Sequence, residues 1–461
     1  MFFRQILHED LGCASYLIGS EDTGAVVDPK WEIEEYVDAA SNHGLTIDHV
    51  LETHNHADHL SGRGRLAATT GATLHVSGDA GVEYEHRPLR DGDVLEVGRA
   101  RIRAVATPGH RPEHMAYLVA DRERGDEPGV LLSGDSLFVG DLARPDLAVD
   151  PEEGARGLFA TMARYRELPD FIEVWPGHIG GSLCGGPAMN EKPSSTIGFE
   201  RRINPYLRIE DKDEFVAKLT AETQPQPPNF ERIVELNRGP LIAEPSPVPA
   251  LAPERAQELV EVGATLLDLR EPHEFDGAHV PGSINVTAVK AGVGTRAAWM
   301  VDPDSLVLVL AAGDDEALSA ARMLEAVGFR ELAGYVGGGI EAWRGAGLEL
   351  GSIPAIDART LARNLRGGEV ILLDVREDEE WEAGHVEGSV HAPYYELRDG
   401  LPEEVAEASK PVAVACSGGF RSAIAASVLR ARGVEPLVHV SAGGVADLPD
   451  HGIELSSNSA R

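Results

Sequence analysis

Cysteine is scarce in this chain: three in 461 residues, at positions 13, 184 and 416. Thiols so far apart and so few cannot make a disulfide framework. That excludes the small disulfide-stapled secreted class and predicts a reducing cytoplasm, where a lone cysteine stays reactive. Lysine is scarce too, at six of the 41 basic residues, and 76 acidic residues bring the formal net charge to −35. Such a surface repels phosphates, so neither nucleic acid nor a membrane is an expected partner. Long apolar runs are also missing; none approaches the roughly 18 residues of a membrane-spanning helix. The opening MFFRQILHEDLG interrupts its apolar start at Arg4 and turns acidic, so no secretory signal is expected. A homo-oligomer is compatible with the sequence and not required by it.

What is present is an ordinary globular composition, 43% apolar and 25% charged, in a length that suits about two to four domains. The chemistry is concentrated in LETHNHADHLSG (51–62), which places His54, His56, Asp58 and His59 within six residues. A metal centre needs several lone-pair donors on one small sphere, and a tight loop at a strand end supplies them. Ile47, Val50 and Leu51 predict the strand before it, and a helix is expected from about Gly62. Three later strands each deliver one more donor: RIRAVATPGH (101–110) gives His110, VLLSGDSLF (130–138) gives Asp135, and FIEVWPGH (171–178) gives His178. CASYLIG (13–19), GAVVDP (24–29) and ATLHVSG (72–78) also read as strands, and Trp31 to Ala40 as a helix. Cys13, inside a strand pattern, is expected to be buried and inert. Donors at strand ends with helices between them predict an α/β unit of two sheets sandwiched by helices.

The spacing T-H-x-H-x-D-H resembles the metallo-β-lactamase superfamily, and the resemblance implies an αββα sandwich. All seven ligand positions of its two-metal hydrolases are filled here. One reading is therefore a Zn(II) pair whose bridging hydroxide attacks a thioester, as in glyoxalase II. The other uses His54, His110 and Asp135 alone, a facial triad with open positions that suits a single Fe(II) and O₂. His56, Asp58, His59 and His178 then become hydrogen-bond partners of the ligands. Counting ligands leaves both open.

The stretch GDSLFVGDLARPDL (134–147), with Arg144, Pro145 and Asp146, is similar to the persulfide dioxygenase branch, although Ala143 replaces that branch's glycine. PSSTIGFERRINPYL (193–207) and QPQPPNF (224–230) resemble it as well. The resemblance implies Fe(II), one per chain, and oxidation of a low-molecular-weight persulfide by O₂. Gly180 and Tyr206 stand where glutathione-using relatives carry Tyr and Arg. That departure favours persulfides of coenzyme A, mycothiol or bacillithiol over glutathione. Cys184, on the loop GGSLCGG (180–186) after His178, is a candidate sulfur relay, with an adventitious loop cysteine as the plain alternative.

Residues 238–253, RGPLIAEPSPVPALAP, hold five prolines and read as a semi-rigid linker. Beyond it, LLDLREPHEFDGAHVPGSINV (266–286) aligns without gaps to LLDVREDEEWEAGHVEGSVHA (372–392) at an offset of 106, and GLEL (347–350) to GIEL (452–455) at 105. The expected organisation is a metal-binding domain over 1–237, the linker, and two copies over 254–351 and 355–457.

The shared motif resembles the rhodanese family, implying two α/β domains with parallel sheets. In the second copy, VAVACSGGFRSAIAASVL (412–429) is a strand, the loop Cys416, Ser417, Gly418, Gly419, Phe420, Arg421, Ser422, and a helix. Amides at the helix start and Arg421 favour a Cys416 thiolate able to carry a persulfide. The C-x4-R spacing matches sulfurtransferases. In the first copy Ala311 replaces that cysteine and Glu316 the arginine, so it is expected to be catalytically silent.

The function this implies is a persulfide dioxygenase fused to a sulfurtransferase, with sulfite and thiosulfate among its sulfur species. A dinuclear thioester hydrolase and a non-catalytic sulfane-sulfur carrier or sensor are the alternatives.

Overall fold

The structure, a computed structural model, describes all residues except 181, 183, 187, 222–224, 289–291 and 458–461. Gly181 and Leu183 of the Cys184 loop, and Gln224 of the stretch 224–230, therefore lie outside the described residues. The chain forms two compact units, one comprising 1–245 with 326–328, the other 246–325 with the residues from 329 onward. The break falls inside the proline-rich stretch. No helix among the described residues is long and apolar enough to cross a membrane.

The first unit holds two six-stranded sheets. One runs in the order Phe2–His8, Cys13–Ser20, Thr23–Val27, Thr46–Leu51, Thr73–Ser77, Arg87–Leu89. The other runs Ser195–Thr196, Glu173–Pro176, Val130–Gly134, Met115–Asp121, Ala100–Ala106, Val94–Val97. Side chains alternate across each strand, so one face packs sheet against sheet and the other receives helices. Tyr16, Ile18, Ala25 and Val27 join Ile102, Tyr117, Val119 and Leu132 in the layer between the sheets. Leu17 and Val26 point the other way, onto Tyr36, Ala39 and Leu66, which come from the helices Glu34–Asn42 and Arg63–Thr70. On the far side Leu158, Met162 and Tyr165 of the helix Pro151–Arg166 pack on Leu118, Leu131 and Val174. Asp150 caps that helix, accepting from Glu152 N at 3.0 Å, with Pro151 at its first position. This is the expected αββα sandwich. Truncating a fully buried residue such as Leu17 to Ala would cost about 2–5 kcal/mol.

Two elements of the first unit differ from the sequence reading, and Ala250–Leu251 of the expected linker is a strand paired with Tyr335 and Val336. The first helix begins at Glu34, three residues after the expected Trp31. The amide of Lys30 donates to the Tyr36 hydroxyl instead of entering a helix, and Trp31 is spent filling the core, its ring under the Arg65 guanidinium at 5.4 Å. The strand expected over 130–138 stops at Gly134, whose φ of +51° breaks the extended run. A Cβ there would lie 2.8 Å from Thr53 Cβ and 2.7 Å from His114 Nε2, so only glycine fits.

The second unit carries two five-stranded parallel sheets with the same strand order. They run Ala250–Leu251, Leu332–Val336, Val307–Leu310, Thr265–Asp268, Ile284–Asn285, and Ala355–Asp357, Leu437–Ala442, Val412–Ala415, Ile371–Asp374, Val390–His391. Asp268 pairs with Leu310, and Asp374 with Ala415, so Ala311 and Cys416 occupy the same position in the two copies. The repeated motif builds one staple twice. Arg270 Nε donates to Asp268 and its Nη2 to the Ala278 carbonyl; Arg376 does the same to Asp374 and Gly384. His279 Nδ1 bonds the Phe275 carbonyl and His385 Nδ1 that of Trp381, both at 2.9 Å, each ring stacked on the aromatic.

Candidate functional site

His54, His110 and Asp135 converge in the first unit. Their ligand atoms all lie within 4.8 Å of one another and all three residues are buried. His54 Nε2 is 3.9 Å and His110 Nε2 3.7 Å from Asp135 Oδ2. Each imidazole is oriented through its other nitrogen. His110 Nδ1 donates to the Arg144 carbonyl at 3.1 Å. His54 Nδ1 donates to Thr53 Oγ1 at 2.9 Å, because that hydroxyl gives its own hydrogen to Asp28 Oδ2 at 2.8 Å. Both Nε2 lone pairs are thereby left facing the carboxylate, the second-nitrogen anchoring that metal-binding histidines use.

Asp135 is held from two sides. Its amide donates to His114 Nε2 at 3.0 Å, and His114 Nδ1 is itself fixed by Thr107 Oγ1 at 2.7 Å. Gly177 lets the carboxylate approach, since a Cβ there would sit 2.3 Å from Asp135 Oδ1. Among the described residues His110 Nε2 and both Asp135 oxygens are buried without a hydrogen-bond partner. His178 Nε2 comes within 3.1 Å of Oδ2 as a close charge contact. Buried polar atoms left unpaired are costly, and a bound cation would satisfy these. Burial holds the His54 imidazole well below the usual range and lowers that of His110. Burial pushes the Asp135 carboxyl up, but His178 and His110 outweigh it and hold the group below its ordinary value. Neutral imidazoles beside an ionised carboxylate are the states a metal requires.

The other expected donors are engaged with the protein. His56 Nε2 faces Glu52 Oε2 at 3.1 Å and Asp28 Oδ1 at 3.2 Å. Burial lowers its pKa, but these carboxylates more than offset that and raise it to about 10. Its Nδ1 has no partner among the described residues. Asp58 is taken at both oxygens, Oδ1 by His59 Nδ1 at 3.1 Å and Oδ2 by the Cys13 thiol at 3.0 Å. His178 Nδ1 pairs with Ser182 Oγ at 2.9 Å.

The sequence reading missed four contributors: Asp28, Glu52, His114 and Cys13. Asp28 supports His54 through Thr53 and His56 directly. Cys13 is buried, as expected from its strand, yet its sulfur reaches Asp58 among the ligand candidates. Burial, then Asp58, raises its pKa well above the usual thiol range, so it acts there as a thiol donor. The signal available was positional: Asp28 and Cys13 both stand at ends of strands in the sheet that carries His54.

Cys184 is buried with Phe138 and Ala143, against Met189. It forms with Asp135 and His178 a group whose ligand atoms lie within 4.8 Å. Burial pushes its thiol up to about 12.

In the second unit the loop after the strand Val412–Ala415 wraps the Cys416 sulfur. Gly419 N and Gly418 N donate to Sγ at 3.1 and 3.5 Å, at the start of the helix Phe420–Ala431. Arg421 does not point its charge freely at the sulfur. Its Nη2 binds Glu380 Oε1 and Ser417 Oγ, both at 2.9 Å, and its Nη1 reaches Glu377 at 3.3 Å. In the first copy Ala311 is buried where Cys416 would be, and Glu316 is exposed.

The family model for the metallo-beta-lactamase superfamily matches residues 8–178. A hydroxyacylglutathione hydrolase of Rhodospirillum rubrum is 34% identical over 229 residues, covering 43% of this chain and 83% of its own. The chain belongs to the metallo-beta-lactamase superfamily. Beyond that domain the rhodanese-like domain model matches twice, at 252–346 and 357–448, so tandem rhodanese-like domains follow. The crystal structure of a metallo-beta-lactamase from Staphylococcus aureus is similar at 30% identity and a TM-score of 0.65, covering 73% of this chain and 98% of that one. ETHE1 from Myxococcus xanthus aligns at 29% identity and a TM-score of 0.45, covering 52% of this chain and 98% of that one.

Proposed function

We propose that the first domain oxidises a low-molecular-weight thiol persulfide with O₂ to sulfite at one Fe(II), and that Cys416 transfers sulfane sulfur to give thiosulfate. The observation that carries the iron assignment is the contrast between two carboxylates. Asp135 has no hydrogen-bond partner at either oxygen among the described residues, only the charge contact of His178 with Oδ2, and it lies beside two imidazoles whose Nδ1 atoms are anchored. Both oxygens of Asp58, by contrast, are hydrogen-bonded, to His59 and Cys13. His54, His110 and Asp135 would hold the iron, which supplies open positions for two reactants. The chain's own part is to fix the imidazoles through Thr53 and the Arg144 carbonyl, and to keep the centre buried. Cys184, beside Asp135 and His178, is the candidate to relay sulfur at that centre. Persulfides of coenzyme A, mycothiol or bacillithiol are the proposed substrates ahead of glutathione persulfide, and the cytoplasm is the proposed location.

For the second domain pair, the two amides on the Cys416 sulfur support a nucleophile that accepts and releases sulfane sulfur. Ala311 leaves the first copy without one.

His110→Ala tests the assignment. Oxygen uptake with a persulfide should be lost along with iron, while sulfur transfer at Cys416 persists. A preparation active with two zincs and inert with iron would overturn it. That outcome belongs to a second reading, a dinuclear thioester hydrolase. The hydrolase relative and the unpartnered His56 Nδ1 favour it.

A further inference from the structure

Four buried side chains run from the nucleophile loop into the copy that lacks a cysteine. Cys416 Sγ is 3.4 Å from Ser422 Oγ, which is 3.1 Å from His439 Nε2. His439 Nδ1 is 2.7 Å from Asp276 Oδ2. Ser422 and His439 are fully buried, and Asp276 is 5% exposed. Asp276 does not belong to the nucleophile's copy. It closes the helix Pro272–Gly277 of the first copy, and its counterpart in the second copy, Glu382, is exposed.

The chain of groups disappears as a set where the cysteine is absent. Sheet pairing places Ala311 at the Cys416 position and Tyr335 at the His439 position, because Val309 pairs with Tyr335 as Val414 pairs with His439. Ala317 stands six residues after Ala311, as Ser422 does after Cys416. The staple residues Asp268 and Arg270, by contrast, are retained. The groups from Ser422 to His439 therefore go with the nucleophile and not with the fold.

We propose that Cys416, Ser422, His439 and Asp276 form a proton relay, with its final member supplied by the cysteine-free copy. This rests on the reading of Cys416 as a sulfur carrier. In the resting state Asp276 fixes hydrogen on His439 Nδ1, so Nε2 can accept from the Ser422 hydroxyl, and the serine oxygen faces the thiol. That hydroxyl otherwise donates to the carbonyls of Gly419 at 3.1 Å or Val440 at 3.4 Å. As a thiolate forms, the S–H bond of Cys416 breaks and its proton passes to Ser422 Oγ. The serine proton passes to His439 Nε2, and an imidazolium remains between Asp276 and the Gly419 carbonyl, which lies 3.0 Å from Nε2. Return of the proton along the same path regenerates the thiol, so nothing is consumed. Asp276 is thus a positioning residue. The other charges near this path are Arg421, which is paired with Glu377 and Glu380 and interacts with Cys416, and His279, which interacts with Asp276, Arg270 and Arg430.

The test is the pH dependence of Cys416 alkylation by iodoacetamide, followed by mass spectrometry of its peptide in the full-length iron-loaded protein. The thiolate is the reacting form, so the midpoint reports thiol ionisation. Asp276→Asn keeps the shape and removes the charge. It should raise the midpoint by about one pH unit and slow alkylation about tenfold below it. Ser422→Ala, which breaks the path within the second copy, should do the same, and the double variant should be no slower than either single one. A role in packing alone would change the melting temperature without moving the midpoint. An Asp276→Asn profile that superimposes on wild type, or effects that add in the double variant, would overturn the relay. Alkylation needs no sulfur donor. A shifted midpoint in a protein that transfers no sulfur would therefore refute the carrier role of Cys416 and leave the relay standing.

Discussion

The Cys13 thiol donates to Asp58 Oδ2 at 3.0 Å, occupying the one carboxylate oxygen that His59 leaves open. A second metal would have to displace that bond. The wild-type protein should accordingly bind about one iron per chain, and Cys13→Ala, which frees Asp58, should take up additional zinc when challenged with it. Metal analysis after gel filtration measures both. Equal zinc uptake by wild type and variant would show that the thiol guards nothing.

Thr53 links Asp28 to His54, and its hydroxyl decides which nitrogen of that ring is bare. Thr53→Val keeps the shape and removes the link. Loss of such a partner typically weakens metal binding about 10–100-fold. Iron titration against a competing chelator should show a drop in that range, with the fold intact by circular dichroism. Unchanged affinity would mean that packing alone orients His54.

Cys416→Ser lacks the thiolate leaving group that makes a persulfide's outer sulfur electrophilic. Given persulfide and O₂, the wild type should release mainly thiosulfate and this variant should accumulate sulfite instead. It should also show no transfer from thiosulfate to cyanide, because Ala311 offers no second nucleophile. Ion chromatography of both anions decides. A ratio identical to wild type would mean that thiosulfate forms in solution.

Asp146 holds Arg144 through two bonds of 2.7 Å, and the Arg144 carbonyl in turn orients His110. Burial raises the Asp146 carboxyl, but Arg144 outweighs it and the group ends below its ordinary range. A depressed acid stabilises the fold above its unfolded pKa, near 4, and loses that contribution as pH falls through the lowered value. Asp146→Asn should therefore lower stability by about 1 kcal/mol at neutral pH. The difference from wild type should shrink toward zero in acid. Thermal melts across pH would expose the opposite trend at once.

The donors were legible because chemistry concentrates them: His54, His56, Asp58 and His59 share one loop, and His110, Asp135 and His178 each follow an apolar run. What surrounds them was not. Asp28 meets Thr53 only because Thr23–Val27 lies parallel to Thr46–Leu51, with Asp28 N bonded to the Leu51 carbonyl at 2.9 Å. Cys13 meets Asp58 only because its strand bridges to His178. These contacts are set by strand neighbours; the strand-end positions of Asp28 and Cys13 were readable, but sequence spacing does not name their partners. The repeat, in contrast, was readable to the residue, since identical staples demand identical spacing. The contact of Asp276 with His439 joins the two copies and could not be read from either one.

The paired staples bear on how such chains are surveyed in genomes. Asp268 with Arg270, and Asp374 with Arg376, have the same hydrogen-bonded geometry whether or not a cysteine follows the central strand. The most visible signature of the repeat thus reports architecture. A census that counts it would score this polypeptide twice, whereas the residue that follows the central strand is a thiol in one copy, Cys416, and Ala311 in the other.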